Sequence, residues 1–129
     1  MLPINHIHHI AIICSNYEVS KKFYTEIMGF EILQEVYREH RDSYKLDLKV
    51  NGLYQIELFS FPNPPARPSH PEAAGLRHIA FETDDVKLVH QLITQKGVEC
   101  EPVRIDETTG KEFFFFADPD GLPIEFYEK

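Results

Sequence analysis

The sequence predicts an α+β fold in which two tandem βαβββ units form a cupped mixed sheet. Three observations predict it. The chain aligns with itself in three blocks, each half alternates one β-rich run, one helical stretch and three further β-rich runs, and a proline-rich segment separates the halves. The blocks pair His9-Ile10-Ala11-Ile12 with His78-Ile79-Ala80-Phe81, Gly29-Phe30-Glu31-Ile32 with Gly97-Val98-Glu99-Cys100, and Ile56-Glu57-Leu58-Phe59 with Ile124-Glu125-Phe126-Tyr127. Their spacing agrees: His to Gly spans 20 residues in one half and 19 in the other, and Gly to Glu spans 28 in both. Residues 1–129 are therefore expected to form one domain, with repeat units 5–61 and 76–129 joined by a connector 62–75.

In the first half, residues 7–14 form a β-rich apolar run. Asn16 can cap a helix whose apolar Val19, Phe23, Tyr24 and Ile27 recur at helical spacing until Gly29 stops it. Strands are expected over 30–39, 43–50 and 54–61, with Asn51-Gly52 as the hairpin turn between the last two. The second half repeats the plan. A strand near 76–82 precedes a helix over about 85–95, capped by Asp84 or Asp85, and then Gly97. Strands over 98–105, 112–117 and 123–127 follow, the last two joined through Asp118-Pro119-Asp120-Gly121. Between the halves, Pro62-Asn63-Pro64-Pro65-Ala66-Arg67-Pro68 can be neither helix nor central strand and reads as a stiff connector.

Composition removes several classes of function. A net charge of -8 and a pI near 5.3 argue against an electrostatic grip on nucleic acid or anionic lipid. The first cation of the chain is Lys21, and the apolar stretch around Ile10 to Cys14 is far too short to span a bilayer, so a cytoplasmic protein is expected. Cys14 and Cys100, the only cysteines, lie in apolar stretches and read as reduced structural thiols.

Alternation along the first strand points His9, Ala11 and Ile13 one way and Ile10, Ile12 and Cys14 the other. If the first and last strands of each unit are neighbours, His9 and Glu57 reach one face, and His78 and Glu125 do the same in the repeat. Two imidazoles and two carboxylates suit a borderline divalent transition ion, with open positions for water or a chelating substrate. Taken singly, a His in an apolar strand is ordinarily a core or interface residue, and the Glu of Ile-Glu-Leu the solvent side of a strand. Agreement of both halves favours the cation, because unpaired ionisable groups on equivalent apolar strands are unfavourable without a partner. The same alternation puts His6 and His8 opposite His9, while His40, His70 and His90 have no counterpart in the other half.

These residues carry a resemblance. His9 with Phe23-Tyr24 and Gly29-Phe30, Ile56-Glu57-Leu58, His78-Ile79-Ala80, and Asp118-Pro119-Asp120-Gly121 followed by Ile124-Glu125 resemble the vicinal oxygen chelate superfamily (glyoxalase, bleomycin resistance, extradiol dioxygenase), particularly its bacterial glyoxalase I-like members. The match covers nearly the whole chain. The resemblance implies one divalent ion (Ni, Co, Zn, Mn or Fe) and a lyase or isomerase acting on a 2-oxoaldehyde hemithioacetal through an enediolate. It also implies that a ligand Glu doubles as proton carrier, Glu125 by position with Glu57 close behind. By analogy it implies a homodimer. The glyoxalases usually carry Arg four residues after the first ligand His, where this chain has Ile13, which counts against glutathione as the thiol. Arg38, Arg41 and Lys45, with Arg104 and Lys111, are candidates for another anionic group of the substrate, and within Phe113 to Phe116 one alternate pair, Phe115 included, can line a cavity. Alternatives remain: an epimerase, although those tend to place Gln where this chain has Glu57; a dioxygenase or thiol transferase, which generally use two His and one Glu; or a non-catalytic binding or resistance module.

Overall fold

Alternation decides which side of each sheet is buried: Leu46, Leu48, Ile56 and Leu58 take that side in the first half, and Phe114, Phe116 and Ile124 in the second. The computed structural model describes residues 1–129, which divide into two units, Met1–Ala66 and Arg67–Lys129. In the first, β1 (Ile10–Cys14), β2 (Glu31–Arg38), β3 (Ser43–Val50) and β4 (Leu53–Ser60) form one mixed sheet in the order β1-β4-β3-β2. In the second, β5 (Ile79–Thr83), β6 (Arg104–Ile105), β7 (Glu112–Ala117) and β8 (Pro123–Glu128) repeat the order as β5-β8-β7-β6. First and last strands are parallel neighbours in both: Ala11 lies opposite Glu57, and Ala80 opposite Glu125.

Each sheet has one helix after its first strand. Helix α1 (Tyr17–Lys22) starts where the Asn16 side chain accepts the Val19 N–H, and continues as a π-helical segment, Phe23–Ile27. Helix α2 (Val86–Gln95) is capped in the same way by Asp85 on the Leu88 N–H. Gly29 and Gly97 follow with φ of 73° and 84°, left-handed values that end a helix at little cost only without a Cβ. The core of the first unit collects Ile12, Cys14, Leu46, Leu48, Ile56 and Leu58 with Phe23 and Tyr24, and that of the second collects Ile79, Phe114, Phe116, Leu122 and Ile124 with Val86 and Ile93. Each such side chain contributes about 1.5–3 kcal/mol by leaving water. The opposite sheet faces are thereby free of packing duties, and those faces carry the candidate residues.

Three elements fall well short of the sequence expectation, β5 among them, which begins at Ile79 rather than near 76 because its ladder with β8 opens at Ile79–Ile124. β1 begins at Ile10 rather than at 7, because its ladder with β4 opens at the Ile10–Ile56 pair. Of the expected strand 98–105 only Arg104–Ile105 is formed. Pro102 has no N–H to offer a ladder, and the Glu101 carboxylate accepts the Phe115 N–H at 2.9 Å where a neighbouring strand's carbonyl would otherwise stand. Asn51 and Gly52, both at positive φ, turn β3 into β4, and the Asp118 side chain closes its turn by accepting the N–H groups of Asp120 and Leu122.

Candidate functional site

Parallel pairing of β1 with β4 brings His9, one residue before the ladder, to the face that carries Glu57. Their side chains stand 3.7 Å apart, from imidazole Nε2 to carboxylate Oε2, with His9 exposed and Glu57 largely covered. In the second unit the same construction sets His78 Nε2 3.1 Å from Glu125 Oε2. Two donors bound to one divalent ion at about 2.0–2.2 Å stand about 2.8–3.6 Å apart for bond angles near 90–109°. The His78–Glu125 pair already has that separation, and the His9–Glu57 pair lies just beyond it. Nitrogen and oxygen donors of this kind fit a transition ion. No group of three or more His, Cys, Asp or Glu gathers as a metal cage within either unit, so each unit offers a pair.

The surroundings of the two carboxylates differ sharply. A β-bulge causes the first difference: the β3–β4 register runs Leu48–Ile56 and then Lys49–Tyr54, leaving Gln55 unpaired and turning Tyr54 onto the Glu57 face. The Tyr54 hydroxyl then donates to Glu57 at 2.5 Å and lies 3.1 Å from Asp47. Lys45 bonds both Asp47 oxygens at 2.8 and 3.0 Å and stands 3.7 Å from Glu57. Burial and the hydrogen bond to Glu57 raise the phenol's pKa well above its ordinary value, so it remains a donor. Glu57 is an anchored carboxylate.

Around Glu125 the partners are apolar. Phe115 lies beside it on β7 and meets the His78 ring edge-on at 5.0 Å, while Ala80 lies beside it on β5. Burial pushes the Glu125 carboxyl above the ordinary carboxylate range, with His78 partly opposing the shift. A carboxyl so placed binds a proton more readily than an exposed one, which suits it to take and return one.

His8 corrects the alternation reading. It was expected opposite His9, but residues 8 and 9 precede the ladder and need not alternate: the two Nδ1 atoms meet at 2.8 Å, and the His8 ring packs on Tyr54. If His9 donates that hydrogen bond, its Nε2 keeps the lone pair directed towards Glu57. His8, Tyr54, Asp47 and Lys45 thus join the site beyond the predicted residues. Lys45 was singled out in the sequence only as an anion ligand; a Tyr beside a hairpin turn gave no sign of the bulge.

The other predicted residues separate into groups. Arg38 stacks 4.6 Å over Phe59, and Arg41 lies 5.1 Å over Phe61. Phe115 belongs to the His78–Glu125 neighbourhood, whereas Phe114 and Phe116 fill the core. Lys111 lies in the turn between β6 and β7, its carbonyl accepting the Asp106 N–H, and does not join the His78–Glu125 pair. Arg104 is spent on Glu101.

Relatives share this architecture over the whole chain. Residues 6–126 match the model of the Glyoxalase/Bleomycin resistance protein/Dioxygenase superfamily. The uncharacterized protein YwkD of Bacillus subtilis is 60% identical over 123 residues, covering 95% of this chain and 96% of its own. The uncharacterized protein YaeR of Escherichia coli is 57% identical over the full length of both. A glyoxalase family protein from Enterococcus faecalis, known from its crystal structure, is 47% identical with a TM-score of 0.91, covering 98% of this chain and all of the other. No helix is long and apolar enough to cross a membrane. A matching family model over nearly every residue, with relatives above half identity, settles the family: the chain belongs to the Glyoxalase/Bleomycin resistance protein/Dioxygenase superfamily.

Proposed function

We propose that this protein is a metal-dependent enzyme of the glyoxalase I type. It acts on a small chelating substrate of the 2-oxoaldehyde hemithioacetal class, with His9, Glu57, His78 and Glu125 as the ligands of one divalent transition ion. The observation that carries the reading is the duplicated His–Glu pair at equivalent places of two repeat units, 3.1 Å apart in one, within the separation two ligands of one ion require, and 3.7 Å apart in the other, just beyond it. Such an ion, when bound, polarises two neighbouring substrate oxygens as a Lewis acid.

The residues of the chain divide the remaining work. Glu57, tied to Tyr54 and flanked by Lys45, keeps a fixed position. Glu125, buried against Phe115 with a raised pKa, takes the proton from substrate carbon and returns it to the neighbouring carbon. Phe115 and Ala80 keep water from that carboxyl, and His78 holds its orientation at 3.1 Å. The reading includes a homodimer in the cytoplasm and, because Ile13 stands where a glutathione-binding Arg is usual, a thiol other than glutathione.

The test is a screen of hemithioacetals made from several 2-oxoaldehydes and several thiols, each run with Ni²⁺, Co²⁺, Zn²⁺, Mn²⁺ and Fe²⁺. Metal-dependent turnover of at least one pair, abolished in Glu125→Gln, is expected. Absence of turnover with every ion, together with stoichiometric small-molecule binding that chelators leave unchanged, would replace the enzyme by a binding module.

A further inference from the structure

We propose that Arg38 and Arg41 form a receptor for an anionic group of the substrate, a carboxylate or a phosphate, beside the Glu57 half of the ligand set. The inference rests on the functional reading above and adds to it the chemistry of the substrate's far end.

The first argument is charge accounting. Of the 13 bases, Lys21, Lys45, Lys49, Lys87 and Arg104 pair with carboxylates; among the arginines, Arg67 and Arg77 bond backbone carbonyls, which leaves Arg38 and Arg41 as the two with neither kind of partner. Arg38 and Arg41 form no ion pair, although Glu39 and Asp42 are their sequence neighbours. Asp42 instead accepts the Tyr37 hydroxyl.

The second argument is how the two guanidiniums are held. Arg38 lies 4.6 Å from the centre of the Phe59 ring and 5.7 Å from that of Phe61, and Arg41 lies 5.1 Å from Phe61. The fully buried Ser43 hydroxyl accepts from Arg38 Nη2 at 2.8 Å. Aromatic faces orient a guanidinium without cancelling its charge, leaving its donor edge for a planar or tetrahedral oxyanion. Arg38 Nε is buried and has no acceptor, so this fork carries a donor that the protein itself leaves unmet.

The third argument is position. Phe59 is two residues from Glu57 on β4 and therefore shares its face, at a distance of about 7 Å along the strand. A substrate chelated at its oxygenated end and carrying an anion one short chain away spans that interval. Lys45 and Lys49, the other cations of this face, are already held by Asp47 and Glu31, so selection of the anion falls to the arginines.

The test compares two five-carbon hydroxamates, glutaric acid monohydroxamate with a distal carboxylate and pentanohydroxamate with a distal methyl, titrated calorimetrically into the Ni²⁺-loaded protein. The phosphonate 4-phosphonobutanohydroxamate is a third arm. The anionic compounds are expected to bind at least about tenfold tighter than the neutral one, and the stronger of the two names the group. Arg41→Gln, at an exposed position, and Arg38→Gln are each expected to cut that preference to about threefold or less while affinity for pentanohydroxamate stays within about twofold. Equal binding of charged and neutral compounds by the unmodified protein, or a preference that survives both substitutions, overturns the proposal. Failure of the metal reading looks different: no hydroxamate then gains from Ni²⁺. In that event inorganic phosphate and glutarate titrated onto the metal-free chain still read the arginines, with weaker binding by Arg38→Gln supporting the receptor and identical isotherms rejecting it.

Discussion

Replacing Tyr54 by Phe removes a single oxygen atom, and the structure states what depends on it. The hydroxyl donates to Glu57 at 2.5 Å and lies 3.1 Å from Asp47, while the ring, which Phe retains, packs on His8 and His9 at 5.3 and 5.4 Å. A hydrogen bond to a charged group is worth roughly 1.5–3 kcal/mol. Here water reaches part of the site and Lys45 remains on Asp47, so the cost in folding stability should stay near 1 kcal/mol or below. The larger effect falls on metal binding, because Glu57 loses the group that fixes its orientation. Loss of such an outer partner typically weakens an ion about ten- to a hundredfold. Competition for Zn²⁺ or Ni²⁺ against a chromophoric chelator measures that change, and thermal melts followed by circular dichroism measure stability. Unchanged metal affinity, or a collapse of the fold, would refute the assignment of Tyr54 as the anchor of a metal ligand.

Glu125→Gln should lower turnover by about a hundredfold or more while circular dichroism stays unaltered, since a proton carrier is lost and the core faces are untouched; a comparable loss from Glu57→Gln with Glu125→Gln near normal would reverse the roles given to the two carboxylates. Leu58, fully buried in the first unit, should lose about 2–5 kcal/mol on substitution by Ala, read from urea midpoints; a loss below 1 kcal/mol would contradict the packing described. Hydrogen bonds from Lys21 and Tyr17 hold the Glu35 carboxyl below its ordinary range. A depressed folded pKa means that the unfolded chain binds the proton more readily, so the stabilisation is full above the unfolded carboxylate's pKa and disappears as pH falls through the folded value. The stability difference between the unmodified protein and Glu35→Gln should therefore shrink between pH 7 and pH 3, and a constant difference would rule the linkage out.

Residues that work through their own strand were legible in the sequence, and residues placed by irregularities were not. Ile56-Glu57-Leu58 and Ile124-Glu125-Phe126 announce both the buried side of a strand and the carboxylate opposite it, because alternation is geometric. The pairing of first and last strands entered the sequence reading only as a condition, which both sheets meet. Tyr54 escaped because one unpaired residue, Gln55, reverses its face, and no composition signal marks such a bulge. His8 escaped because alternation was extended two residues beyond the point where the ladder begins. The expected strand 98–105 overlooked a side chain, that of Glu101, standing in for a backbone acceptor. The contrast between a polar Glu57 and an apolar Glu125 was present in the sequence as Asp47 and Lys45 against Phe115 and Phe113, but became readable only once the register aligned them.

Metal stoichiometry in single-unit variants tests most directly whether the two His–Glu pairs serve one ion. Equilibrium dialysis with Ni²⁺ or Zn²⁺, analysed for metal per chain, should give one ion for the unmodified protein and close to none for either His9→Ala or His78→Ala. Two ions per chain, falling to one in each variant, would show two independent pairs, and an unmodified chain that retains no ion would remove the metal from the account altogether.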